Sequence, residues 1–131
     1  GSIKKELEEQ AVRLKVHDRC YFAGYKANAY RYLKYYDILS MPSRTEGFPL
    51  ALLEAAIYSK PTVVSNIPIF CEAFTQNELF YFDLNNPDSL TGQLIAASND
   101  ISKGKQLNKK YARSYSPMVF YKEHVNLYTT E

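Results

Sequence analysis

With 131 residues, 46% of them hydrophobic and 23% charged, the chain has the size and make-up of one globular domain with its own core. A net charge of +2 is too small for a surface dedicated to nucleic acid, and no run of eighteen apolar residues is present to span a bilayer. Cys20 and Cys71 are too few for a disulfide framework and lack metal-ligand spacing, so both are expected reduced, as small apolar residues at strand and helix edges.

Gly1 and Ser2 read as a cloning scar, and the chain is expected to be cut from a longer polypeptide. Ile3 to Lys15 follows as a helix, with Leu7, Ala11 and Leu14 forming its apolar stripe. A short strand is predicted at Tyr21-Phe22-Ala23, ending at Gly24, and a helix from Ala27 to Tyr35. Ile38 to Met41 reads as a strand covered on both faces. The helix from Leu50 to Ser59 comes next, then the β-branched strand Thr62–Ser65, a short helix Pro68–Phe74 and a fourth strand Leu79–Phe82. Asn86-Pro87-Asp88 opens a helix through Ala97, since Pro suits the first turn and Asp the positive helix end. A basic helix from Ile101 to Tyr115 is separated by Pro117 from a last helix, Met118 to Tyr128. This alternation predicts an α/β fold: a partial doubly wound, Rossmann-like parallel sheet of about four strands with flanking helices and a C-terminal helical tail.

The segment from Ser43 to Ala55 carries two carboxylates, Glu46 and Glu54, eight positions apart across a strand-to-helix junction. Parallel sheets bind ligands beyond the carboxyl ends of their strands, where helix N-termini offer free N–H groups. The amides of Gly47, Phe48 and Leu50 are candidates to donate there; Pro49 has none to give. Plainer readings stand beside this one. Glu46 is also readable as an acid near a helix N-terminus, worth about 0.3–1 kcal/mol. Glu54 is also readable as a solvent-facing residue, although it shares a face with Leu50 and Tyr58. Arg44 is left open between pairing with Glu46 and facing a sugar or phosphate. His17 and His124 read as surface or packing residues, and the tyrosines from Tyr21 to Tyr36 as core and rim. Lys103, Lys105, Lys109, Lys110 and Arg113 read first as a solvated helix face and second as a contact for anionic lipid.

Four segments in order resemble the family 4 retaining glycosyltransferases, whose two-domain architecture is called GT-B. They are Arg19–Tyr25, Tyr35–Ser43, the E-x7-E spacing of Glu46 and Glu54, and Lys60–Ser65; the likeness runs from about residue 6 to residue 98. It implies that residues 3–131 are part of a C-terminal, donor-binding domain, without the acceptor domain and without the first two strands of this one. Those two strands would lie between the Tyr21 and Ile38 strands, so an exposed edge at the Ile38 strand, or a strand-exchanged oligomer, is expected.

The resemblance also assigns roles. Glu46 would be the catalytic residue and would accept hydrogen bonds from the donor sugar. Gly47, Phe48, Pro49 and Leu50 would pass over the sugar and diphosphate, and Glu54 would hold the ribose diol. Gly24 and Tyr25 would lie near the base. Many relatives have Gly where Pro49 stands. The implied reaction moves a sugar from a UDP- or GDP-sugar to a lipid-linked or polysaccharide acceptor, with retention, no metal and no further cofactor. The implied setting is cytoplasmic, with peripheral contact at the inner face of the membrane and a role in bacterial surface-polysaccharide synthesis. The chain alone is expected to be inactive. Two alternatives stay open: a GT-B nucleotide-sugar epimerase, and a doubly wound binding module without chemistry.

Overall fold

The run Thr62-Val63-Val64-Ser65 is β-branched at all but its last position, and every one of its residues is buried. It forms β2, the middle of three parallel strands. The computed structural model describes residues 3–114 and Met118, and among these the sheet order is β1 (Leu39–Met41), β2 (Thr62–Ser65), β3 (Phe80–Phe82). Ser40 sits opposite Val63 and Val63 opposite Phe80, while Met41, Val64 and Tyr81 line up one step on.

Because side chains alternate across a strand, that register sends neighbours to opposite faces. On one face Met41 and Val64 pack with Leu52 and Ala56 of α2 (Leu50–Ile57), Phe70 of α3 (Pro68–Ala73) and Leu107 of α5 (Ser102–Ser114). On the other, Val63, Phe80 and Phe82 pack with Leu90, Leu94 and Ala97 of α4 (Pro87–Asn99). Burying each large side chain contributes about 1.5–3 kcal/mol. The helices α2, α3 and α5 cover one face and α4 the other, so the sheet is doubly wound.

Helix ends follow local chemistry. The Asn86 side chain accepts from the N–H groups of Asp88 and Ser89 at the start of α4, with Pro87 in its first position. Asp100 accepts from the Ser102 N–H at 2.8 Å before α5, and hydrogen bonds from Ser102 hold its carboxyl below the usual range. α2 closes with Ser59 in the left-handed region (φ 53°), its N–H on Ala56 and the Lys60 N–H on Ala55, a Schellman arrangement.

Several expectations are corrected. There are three described strands, not four: Tyr21–Ala23 is irregular, because no described strand lies alongside to take its backbone groups, and Tyr21 is 85% exposed. The outer edge of β1 is open among the described residues, as expected of the Ile38 strand. The α-helix expected over Ala27–Tyr35 is a 3₁₀ helix, Ala29–Tyr35, entered through left-handed Asn28 (φ 56°). The helix expected over Ile3–Lys15 is α1 (Lys4–Arg13), which buries only Ala11 of its predicted stripe; Leu7 and Leu14 are exposed. Tyr21, Tyr25, Tyr32, Tyr35 and Tyr36 are exposed rather than core. Both cysteines are free and exposed, and Cys20 is not on a strand. The helix expected over Met118–Tyr128, with His124, lies outside the described residues apart from Met118. No described helix is long and apolar enough to cross a membrane.

The basic helix α5 does not simply face solvent. The Lys110 ammonium donates to the Ala73 carbonyl at 2.6 Å and pairs with Glu78 at 3.4 Å, capping α3. The Asn108 amide donates to the Ala56 carbonyl at 2.8 Å near the end of α2, and Lys103 donates to the Leu79 carbonyl at 3.2 Å before β3. Burial pushes the Lys103 ammonium pKa down, with Asp100 partly offsetting it. Lys105, Lys109 and Arg113 are exposed. Gly104 lets α5 press against the turn after α2: a Cβ there would overlap the Ser59 carbonyl oxygen. Gly92, in α4, has open space at the same position. We therefore expect Gly104→Ala to destabilise the chain by about 1–3 kcal/mol through overpacking. Gly92→Ala should stabilise it by about 0.4–1 kcal/mol through lost unfolded-state freedom. Urea titration of both variants measures the two opposite signs.

Candidate functional site

All three strands point their carboxyl ends at one rim, where β1 leads into Pro42-Ser43, β2 into Asn66 and β3 into Asp83. Two short hydrogen bonds organise that rim. The buried Ser65 hydroxyl, at the end of β2, donates to the Ser43 carbonyl at 2.5 Å. The Ser43 hydroxyl donates to Glu46 Oε1 at 2.6 Å. Glu46 is half-buried and has no cationic partner among the described residues; Arg44 is exposed and forms no ion pair with it.

The tip of α2 departs from expectation in one amide. Pro49 (φ −81°, ψ 70°) is the centre of an inverse γ-turn in which the Leu50 N–H donates to the Phe48 carbonyl at 2.9 Å. Leu50 is thus not a free donor, because the ring that fixes φ at Pro49 folds the next amide back onto the chain. The N–H groups of Gly47 and Phe48 have no protein acceptor among the described residues. Pro49 is buried, and the side chains of Phe48 and Leu50 are 60% and 64% exposed. Among the described residues, and apart from its chain neighbours, no atom lies within 4 Å of the place where a Gly47 Cβ would stand. Nothing inside the chain demands glycine there.

Glu54 lies four residues into α2 from Leu50, about 6 Å along the axis. It is half-buried and has neither hydrogen bond nor ion pair among the described residues. Glu46 and Glu54 thus flank one β-to-α junction, and each keeps acceptor capacity. Gly24 and Tyr25 lie in the segment before the 3₁₀ helix. Gly24, left-handed at φ 66°, lines a hollow with Ile3, Lys4, Leu7 and Tyr21, and Tyr25 is 92% exposed. Neither makes a hydrogen bond or ring contact with the Glu46–Glu54 segment among the described residues.

A second feature shares the rim. A cavity of about 440 Å³ opens beyond β2 and β3, lined among others by Asn66, Cys71, Gln76, Tyr81 and Asp83. The Tyr81 hydroxyl in its wall meets the Phe70 and Phe74 carbonyls at 3.0 and 2.8 Å, and burial pushes its pKa well up. Sequence reasoning gave no role to Ser43 and Ser65. The available signal was a hydroxyl at the end of each of two adjacent apolar strands, where a buried polar group has to find a partner.

The model of the family described as "Glycosyl transferases group 1" matches residues 1–114. This chain belongs to that family. Over 100 residues it is 36% identical to the O-antigen biosynthesis glycosyltransferase WclY of Escherichia coli, which covers 76% of this chain and 28% of WclY. Over 83 residues it is 34% identical to the UDP-Gal:alpha-D-GlcNAc-diphosphoundecaprenol alpha-1,3-galactosyltransferase of the same organism, covering 63% of this chain and 21% of that one. The matched segments thus span only 28% and 21% of the length of these two relatives. Among solved structures, sucrose-phosphate synthase of Thermosynechococcus elongatus superposes with a TM-score of 0.83 at 17% identity, over 98% of this chain and 34% of that one. The C-terminal domain of LpcC from Francisella tularensis, a group 1 protein, gives 0.75 at 18% identity, over 88% of this chain and 64% of that one. The α/β fold of this chain is that of GT-B glycosyltransferases.

The position of Glu46 bears on whether it acts as a helix-stabilising acid. It stands four residues before Leu50, outside the first turn of α2, where the helix dipole has faded. Glu46→Gln is expected to change stability by less than about 0.5 kcal/mol, as a partly exposed substitution should, measured by thermal unfolding.

Proposed function

We propose that this chain is the donor-binding half of a retaining glycosyltransferase that moves a hexose from a nucleotide diphosphate sugar to an acceptor hydroxyl. The observation that carries the reading is the Glu46 carboxylate, tied to Ser43 beside the unengaged amides of Gly47 and Phe48 at the tip of α2. A sugar presents hydroxyl donors, which a carboxylate accepts; a diphosphate presents anionic oxygens, which amides at a helix tip meet. One rim offers both.

In this reading Glu46 touches the donor sugar at the reacting end and is the catalytic residue. Gly47, Phe48, Pro49 and Leu50 form the wall under the sugar and diphosphate, with Gly47 admitting close approach. Glu54 receives the ribose diol as a two-oxygen acceptor. Gly24 and Tyr25 serve the base once residues outside this chain complete the pocket. The reaction passes through an oxocarbenium-like state while charge grows on the departing diphosphate. Amides already aimed at that charge lower the barrier without reorganising. Cationic side chains outside the chain complete the neutralisation, and no metal is needed.

The named relatives support a setting in O-antigen or related surface-polysaccharide assembly, with a UDP- or GDP-sugar as donor and a lipid-linked saccharide as acceptor. In this proposal the work is done in the cytoplasm at the inner membrane face, where Lys105, Lys109 and Arg113 offer exposed charge to anionic lipid. Residues 3–131 belong to the C-terminal domain in this proposal, with the acceptor domain elsewhere in the polypeptide.

Titration of the full chain with UDP and with GDP, followed by amide chemical shifts, tests the seat. One nucleotide is expected to shift the Gly47 and Phe48 amides, and Glu54→Ala is expected to weaken it by about 1.5–3 kcal/mol, the scale of hydrogen bonds to a charged group. Shifts confined to other parts of the chain would refute the placement. The chain alone is expected to turn over no nucleotide sugar.

A further inference from the structure

We infer that Ser43 and Ser65 are positioning residues that hold Glu46 with one carboxylate oxygen occupied and the other presented to a sugar hydroxyl. The inference rests on the donor seat proposed above and deepens it. Ser65 is wholly buried at the last position of β2, opposite Phe82 of β3. Its proton goes to the Ser43 carbonyl, 22 residues away, which fastens the loop after β1 to the end of β2. That fixes the backbone from which the Ser43 hydroxyl reaches Glu46 Oε1. An O–H···O⁻ contact of 2.6 Å is in the short, charge-assisted range.

The arrangement has a direction. A serine hydroxyl has one proton, so Ser43 spends it on Oε1, and Oε2 has no partner among the described residues. Without a cation nearby, the carboxylate is purely an acceptor, suited to the neutral donor hydroxyls of a hexose and ill suited to a phosphate oxygen. The chain Ser65 to Ser43 to Glu46 is therefore a device for the sugar portion of the donor, with no part in holding the nucleotide. Presetting the carboxylate rotamer removes the ordering that a loose glutamate would undergo on binding.

The test compares nucleotides with their sugar conjugates on the full chain: UDP, UDP-galactose, GDP and GDP-mannose, with amide shifts as readout. Ser43→Ala is expected to weaken the preferred nucleotide sugar about tenfold, the scale of one hydrogen bond to a charged group, and to leave the parent nucleotide within about twofold. Ser43→Thr keeps a hydroxyl at a partly exposed position and should restore binding. Ser65→Ala should give the same split as Ser43→Ala without touching Glu46. Should burial make Ser65→Ala fail to fold, the Ser43 pair decides alone. Equal losses for nucleotide and nucleotide sugar would show a general structural role and overturn the inference, as would no loss in Ser43→Ala. If the unaltered chain binds none of the four compounds, the donor seat itself falls, a failure visible before any variant is made.

Discussion

The double coverage of β2 governs most of what surrounds it. With Val63 facing α4 and Val64 facing α2, α3 and α5, a shift of one residue would exchange the two cores, so the strand has one workable register. That register decides where β2 ends, and its end is Ser65. The rim chemistry thus inherits its placement from apolar packing. A hydroxyl wholly out of solvent has to bond something, and this one bonds the Ser43 carbonyl in the loop after β1.

The basic composition of α5 has a different meaning from the one its sequence suggests. Lys103, Asn108 and Lys110 each meet a carbonyl before β3 or at the end of a neighbouring helix, where orphan acceptors collect. Gly104 makes that approach close enough. α5 therefore behaves as a clasp over α2 and α3, and only its exposed cations remain for outside partners. Lys103 also lies over the Phe80 ring at 4.0 Å, which gives a half-covered ammonium a second favourable contact.

Strands β1, β2 and β3 and helices α2 to α5 were legible because their apolar periodicity, Pro and Asn punctuation and β-branched runs agree with one another. Tyr21–Ala23 was misread since strand propensity is expressed only against a neighbour, and none of the described strands supplies one. Ala27–Tyr35 looked helical by pattern, but the chain enters it through left-handed Asn28 and winds it as the tighter 3₁₀ form. At the site, Glu46, Gly47 and Glu54 could be read from spacing, whereas the turn at Pro49 and the two serine contacts depend on backbone angles and long-range approach. Spacing along a chain does not encode those. The two lysines that cap carbonyls were illegible for the same reason, as their partners lie 24 and 37 residues away.

The γ-turn at Pro49 has a consequence for how an anion would sit. By folding the Leu50 N–H back onto the Phe48 carbonyl, it leaves the Gly47 and Phe48 amides of the loop and the Ala51 amide of the first helical turn without an acceptor among the described residues. A negative group would then meet two loop amides next to Glu46 and one amide of the first turn, with the Leu50 amide between them withdrawn. A glycine in place of Pro49 would make a looser joint, free to swing that amide outward, so the ring decides which donors the tip of α2 presents.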